Sequence, residues 1–258
     1  MALILSAPLC QLDIPYGYWL ARYPVTVAQF AVFVEASGYS LRDRDSLQGL
    51  TNHPVVSVTW REALAFCDWL TGQWRQQDLL PEDWRVTLPG EAEWEKAARG
   101  GLEISQQSLI RSINDIEPWQ PSPARQANPL PQRRYPWGDK LDPQRVNFDK
   151  TGIGATSALG CFPDGASPYG CQDMSGNVWE WTRSLWGEKG DVPDFKYPYE
   201  PADGREDLEA SDSVLRALRG GAFYSSELSV RCAFRRGFGP DYWFNSSGFR
   251  VVVSPFFS

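Results

Sequence analysis

The sequence predicts a mixed α+β fold of short helices, small antiparallel sheets and much irregular backbone. Three stretches of helical periodicity open on capping or first-turn signals and meet a glycine, while only a few short runs read as β-strands. Among 258 residues, 22 Gly and 20 Pro stand beside 12 Trp, so aromatic bulk is carried on a turn-rich chain rather than on a long helical bundle.

Thr26 followed by Gln29 forms a capping-box pattern, and Val27, Phe30, Ala31 and Val34 recur at helical spacing until Gly38; this predicts a first helix after Pro24. Thr59 and Glu62 repeat the signal, with Leu64, Cys67, Trp69 and Leu70 on a core face before Gly72 weakens the second helix. Residues 85–88 alternate like a strand, Pro89 and Gly90 turn the chain, and residues 91–99 form a third helix ending at Gly100. Acidic residues crowd its first turn, where the helix dipole favours them. Residues 101–134 show little periodicity and read as an inserted loop. Beyond Tyr135 the chain is mostly turns, with strand-like pieces at 179–182, 215–223 and 248–253. No solenoid-period repeat is present, and the chain reads as a single domain.

A formal charge of −7, from 25 Lys and Arg against 32 Asp and Glu, argues against nucleic acid as a partner. The apolar run at residues 2–9 is too short to cross a bilayer and lacks a basic leader, which predicts a cytoplasmic protein with no membrane partner. A single histidine, His53, excludes three-histidine zinc and iron sites and leaves a serine nucleophile no choice of imidazole. Five cysteines (Cys10, Cys67, Cys161, Cys171 and Cys232) are odd in number and form no CxxC pair, so neither a disulfide framework nor a structural zinc is expected. Cys161 and Cys171 are compatible with pairing on oxidation or with two reduced, buried thiols.

Two segments carry binding chemistry. Calcium takes several oxygen ligands of mixed side-chain and main-chain origin, and the turn-rich residues 173–180 supply both; a hydrogen-bonded turn closed by Asp173 is the alternative. Between residues 224 and 244, Tyr224, Phe234, Phe238, Tyr242, Trp243 and Phe244 are interleaved with Ser, Gly, Asn and Arg. Large aromatics give contact area at low entropic cost, and small polar residues adapt their hydrogen bonds. Phe223, Phe234 and Phe249 read as core, whereas Tyr224, Phe238, Tyr242, Trp243 and Phe244 suit exposure and burial equally.

Seven phrases in order resemble the formylglycine-generating-enzyme (sulfatase-modifying factor) domain family: RYPVT at 22–26, HPVVSVTW at 53–60, LPGEAEWEKAARG at 88–100, YPWGD at 135–139, DMSGNVWEW at 173–181, LRGGAF at 218–223 and GFRV at 248–251. The resemblance implies a C-type lectin-like fold whose ligand face is built by the C-terminal third, without choosing an activity. The family's oxidases hold copper(I) on two cysteines after the RGG turn. Here those positions fall on Ser225 and on Ser229 or Val230, which cannot replace soft thiolates, so no copper is expected. Cys232 lies in a strand-like segment and reads as core. The related sulfoxide synthases need three histidines, and His53 reads as a hydrogen-bonded scaffold residue.

The resemblance also implies a calcium site with carboxylates from Asp173 and Glu180 and main-chain oxygens from Gly176 and Val178. A second site would take Asn147 and the carbonyls of Phe148 and Ile153, with Asp149 close by but differently placed. Residues 216–251 further resemble the variable region of diversity-generating-retroelement variable proteins. On that pattern the varied, ligand-binding positions are Tyr224, Ser225, Ser226, Leu228, Ser229, Phe234, Arg236, Gly237, Phe238, Gly239, Tyr242, Phe244, Asn245 and Ser246, with Arg231, Ala233, Arg235, Pro240, Asp241 and Arg250 as scaffold. The sequence thus points to a non-catalytic, calcium-stabilised binding protein that presents residues 224–246 to a protein or other macromolecular ligand. A formylglycine-type oxidase using Cys232 with another thiol and an accessory module of a signalling or defence assembly are the alternatives.

Overall fold

The structure, a computed structural model, describes residue 12 and residues 14–107, 110–115 and 124–255. The expected pieces at residues 2–9 and Cys10, and parts of the 101–134 segment, lie outside the described residues.

Helix α1 (Val27–Ser37) begins where the capping box placed it: Thr26 Oγ1 accepts the Gln29 N–H at 3.1 Å, and Gln29 Oε1 accepts the Thr26 N–H at 2.9 Å. The same reciprocal pair, Thr59 with Glu62, opens α2 (Trp60–Gln76). This helix runs past Gly72 because its last turns are tied to β2 (Arg85–Thr87). Thr71 Oγ1 accepts the Val86 N–H at 3.0 Å, and Arg75 donates to the Trp84 carbonyl at 3.1 Å. Helix α3 (Glu91–Arg99) follows the Pro89 and Gly90 turn and ends at Gly100. Its side chains at 91, 93 and 95 meet buried arginines from distant strands, so the acidic first turn serves the core as well as the helix dipole.

A three-stranded antiparallel sheet places β9 (Val252–Ser254) between β1 (Trp19–Leu20) and β2, bringing both ends of the described chain together. The excursion after Gly100 contains a two-stranded antiparallel pair, β3 (Glu103–Ser105) with β4 (Arg125–Ala127), that hydrophobic periodicity did not announce. The four-stranded sheet runs β7 (Arg236–Phe238), β6 (Leu215–Arg219), β5 (Trp179–Gly187), β8 (Ser247–Phe249).

This second sheet corrects the antiparallel expectation, because β5 and β8 are parallel. The chain between β7 and β8 folds back over the entrance to α2, where Pro240 accepts the Trp60 N–H at 3.1 Å and Phe244 the Ser57 N–H at 3.2 Å, so β8 re-enters in the direction of β5. The expected strand 215–223 stops at Arg219 because Gly220 and Gly221 take φ of 91° and 76° and turn the chain away. The expected strand 248–253 is two strands in different sheets, separated where the Arg250 side chain enters the core.

The main core stacks Phe30, Phe33, Phe66 and Phe249 with Trp60 and Trp181. The shared tryptophans also close backbone gaps: Trp60 Nε1 donates to the Thr182 carbonyl and Trp181 Nε1 to the Val58 carbonyl, both at 2.9 Å. Among the described residues, no helix is long and apolar enough to cross a membrane.

Candidate ligand-binding surface

The candidate surface starts where β6 gives way to Gly220 and Gly221. Ser225 then closes a tight turn, its Oγ accepting the Ala222 N–H at 2.8 Å and its own N–H donating to the Ala222 carbonyl at 2.8 Å. Tyr224 leans edge-on against Phe223 at 5.1 Å and accepts a hydrogen bond from Ser246 Oγ at 3.0 Å. That bond joins the two ends of the segment.

Between those ends, Phe238 on β7 stacks with Tyr242 at 5.3 Å and tilts against Phe244 at 5.2 Å. Arg236 lies over the outer side of this group, 4.8 Å from the Phe238 centroid. Phe234, Phe238 and Phe244 rest on the main core, whereas Tyr224 is 46% exposed, Leu228 57% and Tyr242 56%. Ser226, Arg236 and Asn245 are also exposed, and Ser229 and Gly239 are half-buried. The aromatics are therefore core on their inner faces and solvent-exposed on their outer ones.

Three expected surface positions are scaffold. Ser225 and Ser246 are buried, and a Cβ on buried Gly237 would drive into the Trp186 ring. Conversely Ala233, expected as scaffold, is exposed. Arg235 pairs with Glu91 and passes over Trp186 at 5.2 Å, and Pro240 anchors Trp60. The N-terminal half adds residues that local pattern did not flag. Arg42 lies 4.5 Å from the Trp243 ring centroid, Asp43 accepts from Trp243 Nε1 at 3.2 Å, and Arg61 pairs with Asp241 at 3.2 Å. Asp43 and Trp243 lie 200 positions apart, and the other two pairs are comparably remote, which hides them from any local pattern.

The structure offers no reactive thiol at the oxidase positions. Ser225 is spent on its turn and Val230 is buried. Cys232 is core as expected but sits in a turn rather than a strand, and burial pushes its thiol up to about 12. Cys67 and Cys171 are also raised by burial. Cys161 is exposed, not buried, and the four described cysteines are free. His53 meets Thr156 Oγ1 at 3.0 Å.

Glu180 is buried and Asp173 half-buried. Glu180 is already engaged: Arg250 grips both its oxygens at 2.6 Å, and Trp94 Nε1 donates to Oε2 at 2.7 Å. Asp173 accepts the Gly160 N–H at 3.0 Å and Asn177 Nδ2 at 3.3 Å, as the turn alternative requires. Burial nevertheless holds its carboxyl above the usual range. Gly176 accepts the Val178 N–H at 2.9 Å. Asn147 spends Nδ2 on the Ala155 carbonyl and Ser157, while its buried Oδ1 finds no hydrogen-bond partner among the described residues. Phe148 starts a one-turn helix that leads to half-exposed Ile153. These oxygens suit a hard cation better at Asn147 and Asp173 than at Glu180. Among the described residues, no group of three or more His, Cys, Asp or Glu side chains could hold a metal, so a cation beside the Asp173 carboxylate or Asn147 would take most of its ligands from main-chain and amide oxygens.

The family model of the sulfatase-modifying factor enzyme 1-like domain matches residues 5–255. The chain belongs to this family. It is 28% identical over 256 residues to the serine/threonine-protein kinase pkn1 of Chlamydia caviae, covering 92% of this chain and 33% of that one. It is 30% identical over 219 residues to the mouse formylglycine-generating enzyme, covering 79% of this chain and 45% of that enzyme. The chain thus spans less than half the length of these relatives. Among solved structures, Treponema denticola variable protein 1 shares the fold with a TM-score of 0.57 at 18% identity, covering 91% of this chain and 84% of that one. The C-type lectin-like variant of this family, expected from the seven phrases, is the fold of the chain.

Proposed function

We propose that this member of the sulfatase-modifying factor family is a non-catalytic binding module that presents residues 224–246 to a protein or other macromolecular ligand. The observation that carries the reading is the Phe238, Tyr242 and Phe244 cluster, rooted in the core and open on its outer face. Such rigid aromatic anchors supply contact area without a large ordering cost. Serine at the first oxidase position, spent on a backbone turn, supports binding over oxidation.

We further propose that the exposed positions of this segment are diversified by retroelement-directed mutagenesis, and that calcium stiffens the turns around Asn147 and Asp173. The protein works in the cytoplasm, where its free cysteines stay reduced.

Panning a displayed protein library against the folded chain tests the binding reading. Binders whose capture is lost with the Tyr224→Ala, Tyr242→Ala double variant support it; binders indifferent to that variant overturn it. Copper-dependent oxidation of a cysteine peptide, abolished by Cys232→Ser, would instead establish the oxidase. A genomic near-copy of the stretch encoding 216–251, differing at adenines beside a reverse transcriptase gene, tests diversification.

A further inference from the structure

A cavity of about 620 Å³, sharing no residue with the 224–246 segment, opens between the start of α3 and the loop around Glu206. Its volume is in the range of small-molecule sites. Ile14, Pro201 and Pro255 give it apolar walls.

Its floor is charged. Arg183 donates to Glu93 Oε2 at 2.6 Å and to the Leu88 carbonyl at 2.9 Å, and its Nε stands 2.7 Å from Glu206 Oε2. Tyr16 donates to Glu93 at 3.0 Å, and Tyr199 and Ser184 both donate to Glu206 Oε1. The last contact of Arg183 pairs its charge directly with that of Glu206. With Asp207 at the rim, three carboxylates stand against one guanidinium. The wall therefore carries excess negative charge in a partly desolvated setting, where an opposite charge is worth most. Burial raises the Glu206 carboxyl against the opposing pull of Arg183, Ser184 and Tyr199. Gly90 leaves room beside this pair, since a Cβ there would stand 3.0 Å from Glu206 Oε2 and 3.2 Å from Arg183 Nη2.

We propose that this cavity binds a small amphipathic amine, its ammonium drawn to the anionic floor and rim and its apolar body held by the proline-rich walls. An anionic or neutral ligand of the same shape gains nothing from the field.

Calorimetry and thermal shift with phenethylamine, phenethyl alcohol and phenylacetate at low ionic strength test the proposal. The amine should bind about tenfold or more tightly than the alcohol, and phenylacetate least. Asp207→Lys, at the exposed rim, should weaken the amine about tenfold with an unchanged circular dichroism spectrum, and Glu206→Gln should weaken it as well. Equal binding of amine and alcohol, preference for phenylacetate, indifference to Asp207→Lys, or no binding of any of the three at millimolar concentration overturns it.

Discussion

Arg250→Met is the sharpest test of what anchors the loop-rich half. Methionine keeps much of the aliphatic volume but removes a guanidinium that is fully buried against a fully buried Glu180. Five links go with it: two to the carboxylate at 2.6 Å, and those to the carbonyls of Gln172 at 2.9 Å, Ala21 at 3.1 Å and Arg22 at 3.2 Å. Among the described residues, Glu180 is left with the Trp94 hydrogen bond. Removing one partner of a buried pair costs about 3–5 kcal/mol, because the remaining charge stays desolvated. At about 2–4 °C per kcal/mol for a chain near this size, the melting temperature should fall by roughly 6–20 °C. Differential scanning calorimetry of the wild type, Arg250→Met, Glu180→Gln and the double variant would measure it. The double variant should recover part of the loss, since no unpaired charge remains. If Arg250→Met melts within about 3 °C of wild type, a loss of about 1 kcal/mol, Arg250 is not the anchor claimed here.

Three further outcomes follow from the geometry. If calcium binds at the Asp173 turn or at the Asn147 turn, then free calcium at about 100 times its Kd should stabilise the protein by about 2.7 kcal/mol per site relative to chelator, with Asp173→Asn and Asn147→Ala each removing the contribution of its own site; equal melting with and without the ion removes both sites. Gly237→Ala should cost about 1–3 kcal/mol in chemical denaturation through overpacking against Trp186, and Gly237 should not vary among natural copies of the segment. Glu206 ionises less readily folded than unfolded, so its charge costs stability above its folded pKa, and that cost disappears as the pH falls through it. The wild type should therefore gain on Glu206→Gln in melting temperature between pH 7 and pH 4.5, with Glu93 and Arg183 present in both; a wild type that loses ground to the variant toward acid contradicts this.

The sequence made local grammar legible and long-range partnership hardly at all. Both capping boxes formed at the residues that spell them, because a Thr hydroxyl and an amide or carboxylate three residues on need only each other. The third helix was bounded by its flanking glycines for the same local reason. Gly72 misled because a breaker costs about 1 kcal/mol, less than the tertiary contacts of Thr71 and Arg75 supply. The strand at 248–253 was split by Arg250, whose partners lie 70 or more positions away. At the candidate surface the aromatics were visible, but Arg42, Asp43 and Arg61 were not, since only the return of the chain over α2 brings them to Trp243 and Asp241.

That division of labour bears on how a diversifiable surface can exist. The strongest contacts of the segment's frame point inward, to partners outside it: Arg235 to Glu91, Arg219 to Glu91 and Glu95, Arg250 to Glu180, and Pro240 to the first turn of α2. Exposed Tyr224, Leu228, Arg236, Tyr242 and Asn245 make no such buried pair. Substitution at an exposed position away from caps and ion pairs typically changes stability by about 0.5 kcal/mol or less, whereas the frame contacts are each worth several times that. On the proposed binding role, sequence change in the outer set would redraw the contact surface while the fold stays above its stability threshold. Ser225, Gly237 and Ser246 fall on the inner side of this boundary, where backbone turns and the Trp186 ring fix the residue whatever the ligand.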